Sequence, residues 1–311
     1  MKQEFYFPSH DGKTRIHTVE WLPEGKPKAI LQILHGMCEH IGRYEGFAQF
    51  MADNGFYVVG HDHLGHGYSV TSDENHGFFA EKDGNLCVLK DVHRLRRITE
   101  QHFPDVPYFM LGQSMGSFLL RQYIARCGKR LAGAVIMGTG QPASASLKSG
   151  KLLCRNIAAF RGWHFRSKTV DSMVMGKYSK AFAPYRTVAD WLTRDEAVVD
   201  ACLADPLCTY VFTVNGYYNL FDSVEDAQDA PVVAAIPKEL PILLISGEKD
   251  PVGQFGKGVR EVFRSYQKAG IIDLEIKLYA DARHEILNET NRDEVYTYLQ
   301  RWFMLHLPEQ R

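Results

Sequence analysis

The sequence predicts an α/β protein with a doubly wound, mostly parallel sheet and a helical insertion between two core strands. Three observations carry this. Apolar runs with little alternation recur along the chain, as expected of strands buried on both faces. Helical patterns separate them in β-α-β-α order. From 140 to 236 the rhythm stops, and it resumes at Pro241.

Glu4–Phe7 and Arg15–Leu22 flank the turn His10-Asp11-Gly12-Lys13 and read as a hairpin. Ala29–Leu34, Phe56–Gly60 and Val106–Leu111 are the first buried runs, with helices expected near Tyr44–Asn54 and Leu86–His102. A helix near Met115–Cys127 and a strand near Ala132–Met137 follow. The segment 140–236 holds Trp163, Trp191 and many Met, Phe and Tyr residues but no buried-strand run. It reads as short helices and loops forming a cap over a core of 1–139 and 237–311. Strands at Pro241–Ser246 and Leu274–Tyr279 and a helix near Glu289–His306 complete the core.

Composition narrows the function classes. The chain has 311 residues, 45% of them hydrophobic and 23% charged, with a net charge of −1. No like-charge block supports binding to nucleic acid. No stretch approaches the roughly 18 apolar residues of a membrane span, and the first residues lack the apolar core of a secretory signal. Six cysteines form no CxxC pair. The expectation is a cytoplasmic protein with reduced thiols and no stable membrane insertion. The sequence leaves the oligomeric state open.

The chemistry concentrates in three places. Gly112-Gln113-Ser114-Met115-Gly116 follows a buried strand and opens a helical pattern. That is the strand–turn–helix setting of a nucleophilic serine, with small residues two before and two after where the backbone crowds. A serine hydroxyl needs a base, and the base needs an acid to orient it. In the α/β-hydrolase fold the chain order is Ser, acid, His, each on a loop after a core strand. Asp250 follows the strand Pro241–Ser246, and His284 follows Leu274–Tyr279. Glu248 is the competing acid, and Asp250-Pro251 could be a turn former. Ser114, Asp250 and His284 are the expected triad.

Acyl transfer also needs N–H donors aimed at the developing oxyanion. Met115 supplies one, and the loop His35-Gly36-Met37-Cys38-Glu39-His40 supplies the other from Met37. His35 precedes the nucleophile and reads as a loop-bracing residue. His61-Asp62-His63-Leu64-Gly65-His66 has the H-x-H-x-x-H spacing of binuclear metal hydrolases. Gly65 stands where such a site needs aspartate, so neither metal nor cofactor is expected, and Asp62 is read as holding backbone N–H groups.

Four motifs in this order resemble the monoacylglycerol lipase and lysophospholipase family. The loop from His35 to Tyr44 resembles its HGxxEHxxRY segment, and Asp62-His63-Leu64-Gly65-His66-Gly67-Tyr68-Ser69 its DxxGHGxS loop. Gly112–Gly116 resembles its GxSMG elbow. The likeness covers roughly 5–140 and 236–308 and extends to the serine aminopeptidase S33-type hydrolases. It implies the same triad, with Met37 and Met115 as oxyanion donors. Glu39 and Arg43 match positions near the alcohol side of the pocket, and Gln113 stands where that family often has histidine. These three are candidate substrate contacts.

The resulting expectation is a carboxylic-ester hydrolase acting on a small lipid-like ester. Two rivals stand beside it. One is a peptidase or amidase on the same triad, for which Asp222, Glu225, Asp226 and Asp229 would bind an ammonium group. The other is a non-catalytic binding protein, against which an intact triad argues.

Overall fold

The computed structural model describes residues 1–308, and its frame is an eight-stranded sheet. β1 (Lys2–Pro8) and β2 (Arg15–Trp21) form an antiparallel hairpin. Asp11 Oδ1 closes its turn by accepting the N–H groups of Lys13 and Thr14, each at 2.8 Å. β3 (Ala29–Leu34), β4 (Phe56–His61), β5 (Tyr108–Gln113), β6 (Gly133–Met137), β7 (Ile242–Gly247) and β8 (Leu274–Tyr279) follow. The spatial order is β1-β2-β4-β3-β5-β6-β7-β8. β2 meets β4 antiparallel, and every later pairing is parallel. β3 to β7 are buried throughout, which explains their lack of alternation. β5 begins one residue after Pro107, which has no N–H to give the ladder but still accepts from Ile30 at 2.8 Å.

Helices cover both faces. α1 (Glu45–Asp53) and the last helix, Arg292–Leu305, pack Phe47, Met51, Leu299 and Phe303 onto one. α2 (Gly84–His102) and α3 (Met115–Cys127) pack Val88, Leu95, Leu119 and Ile124 onto the other. The chain leaves β3 toward β4 on one side and β5 on the other. The switch point therefore falls at the carboxyl ends of β3 and β5, where such sheets place their sites.

Between β6 and β7 lie α4 (Ser144–Arg161), α5 (Lys168–Val174), α6 (Gly176–Lys180), α7 (Glu196–Ala204), α8 (Val214–Ala227) and α9 (Ala230–Ala234). α4 and α8 span 18 and 14 residues, longer than the short helices expected there. α8 buries Tyr217, Leu220 and Val224 on one stripe, so tertiary packing supplies what a weak sequence pattern did not advertise. The sequence reading placed no helix between Asp250 and Leu274. The structure has α10 (Lys257–Lys268) there, burying Val259, Val262 and Tyr266 at helical spacing. Arg292–Leu305 is α11. Among the described residues no helix is long and apolar enough to cross a membrane.

Candidate active site

Ser114 joins the end of β5 to the start of α3 with φ 55° and ψ −116°. This left-handed conformation costs a non-glycine residue about 1–3 kcal/mol, which the surrounding contacts must hold. Ser114 N–H donates to Met137 O at 3.0 Å, tying the turn to β6. A Cβ on Gly116 would run into Leu34 O, and one on Gly112 into Gly116 O, so the turn can form only with glycine at both flanks. Met115 opens α3, where the first N–H groups have no intrahelical acceptor and the helix dipole favours negative charge.

The loop after β3 approaches from the other side. A Cβ on Gly36 would lie 3.1 Å from Ser114 Cβ. Among the described residues neither Met37 N–H nor Met115 N–H has a protein acceptor. Glu39 shapes this loop, with Oε1 accepting the N–H of Gly36 and, at 2.9 Å, the hydroxyl of Tyr44. Arg43 donates to Glu39 Oε2 at 3.1 Å and grips both oxygens of Glu285 at 2.7 Å. Its Nη1 and Nη2 are thus both engaged by carboxylates. Burial would push Glu285 up, but the Arg43 guanidinium holds it below the usual carboxylate range.

His284 and Asp250 meet at 2.9 Å, Nδ1 to Oδ1, both buried. The ring N–H is not well aligned on that oxygen, a looseness common before substrate binds. Asp250 is fixed by Val252 N–H on Oδ1 at 2.8 Å and by the Ser246 hydroxyl on Oδ2 at 3.1 Å. Burial alone would push the His284 imidazole down, but the adjacent Asp250 charge outweighs it and raises its pKa above 6.5. Glu248, the competing acid, lies 3.8 Å from exposed Arg260.

The strand end carrying Ser114 and the loop carrying His284 are joined through Gln113. Its Nε2 donates to His284 O at 3.1 Å, and its buried Oε1 has no partner among the described residues. A Cβ on Gly138 would touch both Gln113 Nε2 and His284 Cε1. The segment between β6 and β7 clamps the same loop. Glu285 N–H donates to Leu192 O at 2.7 Å, and the Trp191 ring packs 5.0 Å from the His284 ring. Arg194 pairs with fully buried Glu289 at 2.9 Å, and Glu289 also accepts Arg283 N–H at 2.8 Å.

No sequence pattern points to Glu285, Trp191, Ser246 or Glu289 as supports of the site. Glu285 beside His284 offered a clue, but its partner Arg43 stands 242 positions away, where no spacing can point to it.

The histidines of the 61–66 segment sit elsewhere on the same sheet edge. His35 Nε2 accepts His63 N–H at 2.8 Å, so its Nδ1 carries the proton and donates to Gly36 O at 2.7 Å. His35 thus braces its loop. Asp62 accepts Ile41 and Tyr68 N–H groups at 2.8 and 2.9 Å, and meets His17 Nδ1 at 2.8 Å. His63 Nδ1 meets His61 Nε2 at 3.2 Å, but among the described residues His66 adds no third ligand atom within 4.8 Å of both. Among the described residues only His40/Asp205/Cys208 and Asp273/Glu275/His306 bring three ligand atoms within 4.8 Å.

The acidic residues of α8 border a cleft of about 720 Å³ whose lining includes none of Ser114, Asp250 or His284. Lys151 bridges Asp222 and Glu225 at 2.6 and 2.8 Å, and Arg126 pairs with Asp226 at 2.8 Å.

With this geometry in place, comparison with known proteins identifies the chain's relatives. The family profile described as "Serine aminopeptidase, S33" matches residues 25–291. The chain belongs to that family. It is 28% identical over 281 residues to the "Monoglyceride lipase" of Mus musculus, covering 86% of this chain and 79% of the relative. It is 26% identical over 296 residues to the "Monoacylglycerol lipase" of Mycolicibacterium smegmatis, covering 95% of each. A thermostable carboxyl esterase from Bacillus coagulans, solved with glycerol, superposes with a TM-score of 0.91 at 30% identity over 99% of both chains. The α/β-hydrolase fold expected from the nucleophile turn is the fold of this family member.

Proposed function

We propose that the protein is a serine carboxylic-ester hydrolase acting on small lipid-like esters of the monoacylglycerol or lysophospholipid type, through an acyl-enzyme on Ser114. One observation carries this reading. A serine in a strained turn at a helix N-terminus shares a sheet edge with a buried His284–Asp250 pair. The names of the relatives, monoglyceride lipase, monoacylglycerol lipase and carboxyl esterase, support ester over amide chemistry. So does the partial neutralisation of the α8 carboxylates by Lys151 and Arg126, since an aminopeptidase needs a free acidic site for its ammonium group.

The mechanism follows from the placement. Asp250 faces Nδ1 and leaves Nε2 of His284 for the serine. His284 takes the Ser114 proton as Oγ attacks the ester carbonyl carbon. Charge collects on the carbonyl oxygen between the Met37 and Met115 N–H groups. The carbon–oxygen bond to the alcohol breaks, and His284 returns the proton to the departing alkoxide. Water, deprotonated by His284, then attacks the acyl-enzyme, releases the acid and restores Ser114. Glu39 and Arg43 serve the substrate's alcohol side by holding the Gly36–Met37 turn: Glu39 accepts the Gly36 N–H, and Arg43 ties Glu39 to Glu285. Gln113 holds His284 through its backbone oxygen.

Residues 140–236 act as the cap, seated on the His284 loop through Trp191 and Leu192, over a core of 1–139 and 237–311. The six cysteines are free, which suits the reducing cytoplasm.

The decisive experiment is a chain-length series of p-nitrophenyl and monoacylglycerol esters beside an aminoacyl anilide. Each buried methylene contributes about 0.8 kcal/mol. kcat/KM should rise roughly three- to four-fold per carbon until the acyl site fills at short to medium length. A flat ester profile with faster anilide cleavage would overturn the reading in favour of a peptidase.

A further inference from the structure

A cluster of side chains away from Ser114 has the chemistry of a metal site. α7 ends at Ala204, and the turn beyond it brings Cys208 N–H to Asp205 O at 3.0 Å. Leu207 N–H donates to Asp205 Oδ1 at 2.8 Å, which fixes the carboxylate. Its other oxygen then meets His40 Nε2 at 2.9 Å. His40 belongs to the loop after β3, on the opposite wall. Single ligand atoms of His40, Asp205 and Cys208 all lie within 4.8 Å of one another. The Cys208 thiol is free.

We propose that His40, Asp205 and Cys208 form a site for a thiophilic divalent cation, with zinc the best match and water as the fourth donor. One imidazole, one carboxylate and one thiolate are donor types that zinc takes in four-coordinate sites. Calcium and magnesium, which prefer all-oxygen shells, would be rejected. Zinc bonds of about 2.0–2.3 Å require donors roughly 3–4 Å apart, so the cluster needs only a modest contraction. The Leu207 N–H on the outer carboxylate oxygen is the kind of support that orients a metal-bound aspartate. A bound ion would staple the end of α7, and with it the segment 140–236, to the loop that carries Met37. The inference stands apart from the reaction assigned to Ser114.

The test uses the full-length protein, reduced and freed of reductant under nitrogen, titrated with Co²⁺ and then competed with Zn²⁺. One equivalent of cobalt should give a thiolate charge-transfer band with tetrahedral d–d absorption, and zinc should displace it and raise Tm. Cys208→Ser and His40→Ala should each weaken zinc binding by at least about 10–100-fold. Cys87→Ser, altering a thiol elsewhere, should bind as the parent does. If Cys208→Ser does not fold, the near-isosteric Asp205→Asn carries the same comparison. Absence of the thiolate band, or undiminished affinity in the His40 and Cys208 or Asp205 variants, overturns the site. Loss of metal binding with fluorophosphonate labelling of Ser114 intact separates this outcome from any failure of the hydrolase reading.

Discussion

Buried histidines occupy two places on the carboxyl edge of the sheet, and they ionise in opposite directions. At the end of β8, His284 is driven down by burial but raised on balance by Asp250 at 2.9 Å. At the ends of β3 and β4, burial wins, and His35, His61, His63 and His66 are all pushed down, His61 to about 3. The nearby carboxylate, Asp62, is committed to His17 and to two backbone N–H groups. Among the described residues, three ring nitrogens of the cluster, His61 Nδ1, His63 Nε2 and His66 Nε2, have no hydrogen-bond partner. A histidine in a protein interior thus becomes a base or a neutral packing element according to whether a carboxylate is left over for it. Residue type and burial alone do not separate the two.

The sharpest way to break the comparison is to remove one member of each group. Ser114→Ala and His284→Ala should each lower kcat by about 10⁴–10⁶-fold on a p-nitrophenyl ester, and the double variant by little more, because the residues act as a unit. If Ser114→Ala keeps more than about a tenth of the parent rate, the nucleophile is wrongly assigned. His63→Ala should instead leave kcat of the folded protein nearly intact and destabilise it by about 2–4 kcal/mol through the cavity it opens. Urea denaturation would read the second effect, and a large kcat loss at unchanged stability would place the cluster in the chemistry.

A pH series tests the same contrast without mutation. In the proposed reaction His284 must be neutral to accept the Ser114 proton, and its pKa is raised, so the acidic limb of kcat/KM should lie above pH 6.5. Its link to stability has the sign of a raised group: the His284–Asp250 contribution is complete below pH 6.5 and fades as pH rises through the folded pKa. The cluster has the opposite sign. Its histidines are harder to protonate in the native state, so their contribution is complete above pH 6.5 and is lost as pH falls toward their lowered folded values. Tm should therefore decline below pH 6.5, where activity is already falling for a different reason. An acidic limb below 6.5 would mean that Asp250 does not control His284.

The smallest expected effect is that of chelation. Among the described residues the 61–66 segment brings no three ligand atoms within 4.8 Å of one another, and the proposed reaction draws on no metal. Exhaustive EDTA should leave kcat/KM unchanged in Cys208→Ser, a background without the proposed zinc site. Activity lost there and restored by zinc would return a metal to the 61–66 segment.

Much of this protein is written locally. Fully buried parallel strands must be apolar along their whole length, so β3 to β7 announce themselves as unbroken runs. The turn at Ser114 admits only small residues at 112 and 116, so it leaves a pattern within five positions. Chain order around a fixed sheet then points to Asp250 and His284. What sequence could not hold is any relation whose two ends are free to be far apart. Arg43 finds Glu285 across 242 positions, and Arg194 finds Glu289 across 95. The amphipathic stripe of α8 likewise has a purpose only once α4 lies against it. His40 and Cys208 carry no spacing signature, because one comes from the loop after β3 and the other from the turn after α7. Above all, no local pattern distinguishes His284 from His63 as an ionising group. That difference depends on which carboxylate the finished fold leaves beside each ring, and a pKa is set by neighbours in space rather than along the chain.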